Sequence, residues 1–202
     1  MKTPVIAVAF ATLALLVACD RRETDGNSTV GEVAADTAPP PATVADPPPP
    51  ATAPPAISAE GDVPALSLLS TINQHEIDVA RQAVSKDVKG AVAEYAAMME
   101  KEHGDNQTKT LQMVTPVDTP DVTRMKADGA KELQTLSQQS GSAYEKAYIE
   151  AMVAGHQKAL TEIDQKMLPV ATSEQAKDHL TKTRVHVAHH LERAKAIQAT
   201  QG

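Results

Sequence analysis

This chain of 202 residues has no tryptophan, one phenylalanine and three tyrosines, so Phe, Tyr and Trp make up only 2% of it. Phe10 falls in the N-terminal apolar run, leaving Tyr95, Tyr144 and Tyr148 as the only such rings in the remainder. One cysteine, Cys19, is present, which excludes an intrachain disulfide and leaves no thiol in the rest of the chain for a metal or for catalysis. No apolar run reaches the roughly twenty residues that span a bilayer. Basic residues are outnumbered 19 to 26, giving a formal net charge of −7. With no basic surface to release counterions from a phosphate backbone, nucleic acid is not an expected partner. The sequence also holds no nucleophile–base motif, phosphate loop or cofactor fingerprint, so turnover is not expected.

What is present begins with an address. Met1-Lys2 precedes an apolar run from Val5 to Ala18, the length of a signal-peptide core. It closes on Leu16-Val17-Ala18-Cys19, which resembles the lipobox of bacterial lipoproteins. The resemblance implies removal of residues 1–18 and acylation of Cys19, whose chains would anchor the protein to membrane lipid. Asp20 resembles the inner-membrane retention signal of enteric lipoproteins, so the expected location is the cell envelope facing the periplasm, with the inner membrane favoured.

Residues 19–63 form a Pro-, Ala- and acid-rich stretch, with Pro39-Pro-Pro41, Pro47 to Pro50 and Pro54-Pro55. Eight acids there face only Arg21 and Arg22. Such a composition buries too little apolar area to offset its ordering entropy, and it reads as a disordered tether. At ~3.1 Å per residue in polyproline geometry it would reach on the order of 100 Å at most.

Residues 64–202 read as one all-α domain. Apolar spacing at three and four residues predicts four long helices. The first runs from about Pro64 to Lys86, with Leu68, Leu69, Ile72, Val79, Ala80 and Ala83 inward. The second runs from about Ala91 to Met113, with Val92, Tyr95, Ala96, Met99, His103, Asn106 and Leu111 inward. The third follows Gly141 and ends near Pro169, and the fourth begins at Thr172-Ser173-Glu174-Gln175, whose hydroxyls suit a helix cap. Short links make helices one and two, and three and four, antiparallel hairpins. The long link between helices two and three, carrying a short helix through Met125, Leu133 and Leu136, can cross the domain as in ferritin-like four-helix bundles.

All seven histidines lie in this domain. Glu76, His103 and His156 sit on apolar stripes of three helices, and His186 or His190 on the fourth. Counted from the hairpin turns at 1.5 Å per residue, these groups fall within a few ångströms of one height. Carboxylate and imidazole at one level of a bundle core suit a single transition metal such as Zn, Fe, Mn or Cu. Glu100-Lys-Glu-His103 places Glu100 on the same face as His103. The repeated Met-x-x-x-His of Met99/His103 and Met152/His156 adds Cu(I) to the choices. A second Glu-x-x-His is absent, which disfavours a di-iron ferroxidase. The rival expectation is a non-catalytic structural or interaction module whose histidines hydrogen-bond to Glu76, Tyr148 and one another without a metal. Met99 and Met152 also suit core filling. His75, His179 and His189 are expected to flank the core, and Lys101, Glu102 and Glu192-Arg193 to be solvated.

Several blocks carry a family resemblance: His75-Glu76-Ile77, Tyr95-Ala-Ala-Met-Met-Glu-Lys-Glu-His103, Tyr144 and Tyr148 with Met152-Val153 and His156, and His190-Leu-Glu-Arg-Ala. Over about residues 65–200 they resemble the secreted bacterial family called domain of unknown function 4142 (DUF4142). The resemblance implies a ferritin-like fold, with Glu76, His103, His156 and His190 at the family's characteristic polar positions. It implies no activity. Glu102 stands where family members often carry Asp, and Tyr144-Glu145 where they often carry Phe-Asp.

Overall fold

A computed structural model describes residues 57–201; the signal segment, Cys19 and most of the Pro-rich stretch lie outside the described residues. Five α-helices follow in order: α1 (Asp62–Ser85), α2 (Gly90–Met113), α3 (Pro120–Ser137), α4 (Gly141–Glu162) and α5 (Glu174–Gln198). No strand occurs among the described residues, and no helix there is long and apolar enough to cross a membrane.

Local chemistry sets the ends. Thr119 caps α3 by accepting from the Val122 N–H at 3.2 Å, and Pro120 takes the first helical position, where its missing N–H costs nothing. Ser173 caps α5 in the same way, accepting from Ala176 N–H at 3.1 Å. Gly90 starts α2 with φ +53°, a left-handed conformation that glycine adopts without a Cβ clash. At the C-terminal end of α4 one π-helical turn, Ile163–Met167, has Leu168 N–H donating to Ile163 C=O at 2.9 Å.

Only four residues separate α1 from α2, so the two fold back on each other as an antiparallel hairpin. Another short link, 168–173, turns the chain from the π-helical turn into α5. The connection from α2 to α4 holds more than the expected short helix: α3 is a full helix of 18 residues. It lies along α1, where Gln82 Nε2 donates to Leu133 C=O at 3.0 Å and Lys86 Nζ to Ser137 C=O at 2.7 Å. Its own apolar stripe is thin, with only Val122, Gly129 and Leu136 buried, which is why periodicity alone shows so little of it.

The folded unit also starts before Pro64. Ile57 packs against the core, and the Asp62 carboxylate accepts from the backbone N–H groups of Ser58 and Thr172, both at 2.7 Å. This ties the start of α1 to the start of α5. Leu111, expected inward, is 48% exposed, because the buried stripe of α2 runs on through Thr110 and Val114 and leaves Leu111 to one side of it.

The core comes in two apolar clusters. One gathers Val79, Ala80 and Ala83 with Tyr95, Met99, Tyr148, Met152, Ala194 and Ile197. The other gathers Leu66, Leu68, Leu69 and Ile72 with Ala159, Ile163, Leu180 and Val187. On every one of α1, α2, α4 and α5 the two clusters are separated by a buried polar residue: Glu76, His103, His156 and His190. A polar layer therefore divides the hydrophobic core.

Candidate metal centre

His103, His156 and His190 are each at most 3% exposed, and they approach from α2, α4 and α5. Their ring centroids form a near-equilateral triangle with sides of 5.8, 5.1 and 5.5 Å. One ligand nitrogen from each lies within 4.8 Å of the other two.

The outer nitrogen of each ring is held. His103 Nδ1 lies 3.0 Å from Asn73 Oδ1, His156 Nδ1 lies 2.7 Å from the Met152 carbonyl, and His190 Nε2 lies 2.8 Å from Glu102 Oε2. A carbonyl, an amide oxygen and a carboxylate can only accept, so each outer nitrogen carries the proton. The amide of Asn73 is itself oriented: its Nδ2 donates to Asn106 Oδ1 at 2.7 Å, and Asn106 Nδ2 donates to Thr183 Oγ1 at 2.8 Å. Thr183 Oγ1 donates in turn to the His179 carbonyl at 2.8 Å, where the chain ends on an obligate acceptor.

It follows that the inner nitrogens, His103 Nε2, His156 Nε2 and His190 Nδ1, present lone pairs. All three are buried without a hydrogen-bond partner. Burial pushes His103 well below its ordinary value and His156 down to about 4. It lowers His190 too, against the opposing pull of its hydrogen bond to Glu102. The rings are thus neutral at pH 7, the state in which imidazole binds metals. Leaving three acceptors buried and unsatisfied costs on the order of 1–3 kcal/mol each. A cation with nitrogen ligands at ~2.0–2.1 Å would satisfy all three. The donor set and its orienting partners fit a transition metal, and the arrangement contradicts the idea that the histidines hydrogen-bond to one another.

Glu76, on α1, is 3% exposed, with no partner for Oε2. Burial raises its carboxyl to about 7, although nearby His75 and His190 pull the other way. It lies outside the three-histidine group, in the same layer. Gly155 on α4 leaves room for it: a Cβ there would stand 3.3 Å from Glu76 Oε1. The Tyr148 hydroxyl is likewise buried and unpartnered.

The remaining residues singled out by sequence lie elsewhere. Glu100 accepts from Arg81 Nε at 2.8 Å on the surface. His186 is exposed, with Nδ1 3.9 Å from Glu102 Oε2. Met99 and Met152 are fully buried in the first apolar cluster, and Met152 meets the centre through its carbonyl oxygen. His179, expected to flank the core, is buried with Nε2 2.9 Å from Thr110 Oγ1. Glu102, expected to be merely solvated, is half-buried and orients His190. Asn73 and Glu102 are the hydrogen-bond partners of the buried histidines that sequence periodicity misses, since each reaches across to another helix.

A surface pocket of about 460 Å³ between α2 and α5 has His103, His190 and Asn73 among its lining residues, with Glu102, His186 and His189 also in its wall.

Fold and site together define an all-helical domain built around three buried, inward-facing histidines. The chain matches the family described as domain of unknown function (DUF4142) over residues 46–197, and it belongs to that family. No curated protein and no solved structure matches it.

Proposed function

We propose that the domain binds one divalent transition-metal ion through His103 Nε2, His156 Nε2 and His190 Nδ1, with the Glu76 carboxylate offsetting part of its charge from α1. The observation that carries this reading is the set of three buried nitrogen acceptors without donors. Each histidine has an outer hydrogen-bond acceptor of the kind that fixes ring tautomer and raises ligand basicity in metal sites. Neutral imidazoles favour zinc, copper or iron over calcium and magnesium. Glu76 gains a role for an otherwise costly buried carboxyl: a nearby cation would draw off its proton and pair with the anion.

In this reading the helices form a ferritin-like bundle with α3 in its crossover; the signal segment is removed, and acylated Cys19 holds the domain at the cell envelope by the tether of residues 19–63. Asp20 favours the inner membrane. The domain stores, senses or buffers metal, with no turnover required.

The test is elemental analysis of the mature protein purified from a bacterial envelope fraction, beside His103→Ala, His156→Ala and His190→Ala. One equivalent of metal in the parent, lost from all three variants while their helical circular dichroism persists, supports the reading. A metal-free parent that takes up no added zinc or copper overturns it.

A further inference from the structure

The three inner nitrogens have no solvent access. A metal reaches them only if one ring moves, and the structure marks which one. His103 and His190 line the 460 Å³ pocket, whereas His156 does not. His103 is held by a neutral amide deep in a hydrogen-bonded chain. His190 is held by Glu102, whose side chain is 36% exposed.

The pocket wall carries two further imidazoles, His186 and His189, one helical turn or less before His190 on α5. Both are exposed. Glu102 Oε2 stands 2.8 Å from His190 Nε2 and 3.9 Å from His186 Nδ1, so one oxygen serves the buried ring and faces the exposed one. The nearby Lys101 is matched by Asp105 at 2.7 Å, and Lys109 also lines the pocket. Counting Glu102 and Asp105 against Lys101 and Lys109, the formal charges balance, so the pocket offers no strong field to attract hard cations. Its nitrogen donors select borderline transition metals instead.

Building on the metal-binding reading above, we infer that His186, His189 and Glu102 form an outer capture site for a divalent transition-metal ion, which they pass inward past His190. A cation bound to Glu102 takes the oxygen that holds His190 Nε2–H. Released, the His190 ring can turn and bring the ion to the inner nitrogens. The outer site is open and has few donors, so it binds more weakly and exchanges faster than the inner one.

The experiment uses the mature protein and its His186→Ala/His189→Ala double variant, with Co(II) as probe, read by visible absorbance in stopped-flow mixing and at equilibrium. The inference predicts that both proteins reach the same one-equivalent inner complex, while the double variant loads at least ten-fold more slowly and loses a weaker second equivalent. Equal loading rates would overturn the capture site and leave the inner centre standing. A parent that binds only the weak equivalent, kept in His103→Ala and lost in the double variant, would support the outer site and refute the inner one. No uptake by the parent would refute both.

Discussion

Asn73 Oδ1 lies 3.0 Å from His103 Nδ1, linking α1 to α2 in the polar layer, and the Asn73 amide cannot flip without breaking its bond to Asn106. Asn73→Leu removes the acceptor that sets the His103 tautomer. Losing such an outer partner lowers metal affinity roughly 10- to 100-fold. Competition with a chromogenic chelator measures this, and Asn73→Asp, which keeps an acceptor facing the ring, is expected to recover most of the loss.

The acid range gives a second prediction, for the metal-free protein. His103, His156 and His190 stay neutral when folded but protonate near 6.5 when unfolded. Below that pH the unfolded chain binds more protons, so their contribution to stability shrinks as pH falls from about 6.5 toward the folded value of about 4 for His156. Glu76 acts oppositely: its folded carboxyl keeps a proton up to about 7, so its contribution fades as pH rises from 4.5 through 7. His179, also lowered by burial, acts with the three rings, and His75, raised against its burial by Glu132, acts with Glu76. Four lowered imidazoles outweigh these two, and the urea midpoint is expected to fall between pH 6.5 and 4.5. A midpoint that rises over that interval would mean the rings are not buried as neutral groups.

Two glycines separate packing from propensity. A Cβ on Gly129 of α3 would lie 2.7 Å from His75 Nδ1, a ring also engaged 3.1 Å from Glu132 Oε1. Gly129→Ala is expected to destabilise the domain by about 1–3 kcal/mol through overpacking. Gly104, in the interior of α2, has nothing within 4 Å of its would-be Cβ. Gly104→Ala is expected to stabilise by about 0.5–1 kcal/mol through helix propensity alone. Urea unfolding of both variants checks the two signs.

Asp62 anchors the two helix starts. It gathers backbone N–H groups from Ser58, Thr172 and Ser173, and these bonds more than offset burial and hold its carboxyl below the ordinary range. Asp62→Ala leaves those donors without an acceptor and is expected to cost about 2–3 kcal/mol at pH 7, read by thermal unfolding. The contribution is present above the ordinary carboxyl value of 3.8 and is lost as pH falls through the lower folded value.

How much of this was legible in the sequence follows from which residues repeat along a single helix. The apolar stripes of α1, α2, α4 and α5 place Glu76, His103, His156 and His190 inside, because a core-facing position is fixed by the 3.6-residue period of its own helix. Asn73 and Glu102 were not legible as partners. Asn73 sits three residues before Glu76 in the mostly polar run Ser70 to Glu76 with nothing to mark its target, and Glu102 falls on the polar side of α2, its reach to His190 set by how closely α5 packs. The extent of α3 escaped for a related reason: it buries few residues, so its chain pattern is mostly polar. Spacing could group the polar residues by height, but it could not show that the imidazoles turn their free nitrogens toward one another while Glu76 stands beside them.

The most direct measurement is X-ray absorption at the metal edge of the loaded mature protein. The account predicts a first shell of nitrogen and oxygen only, fitted by about three imidazoles at ~2.0–2.1 Å, with no sulfur. A sulfur scatterer at ~2.3 Å, or a shell of water oxygens without imidazole, would contradict a centre made by His103, His156 and His190.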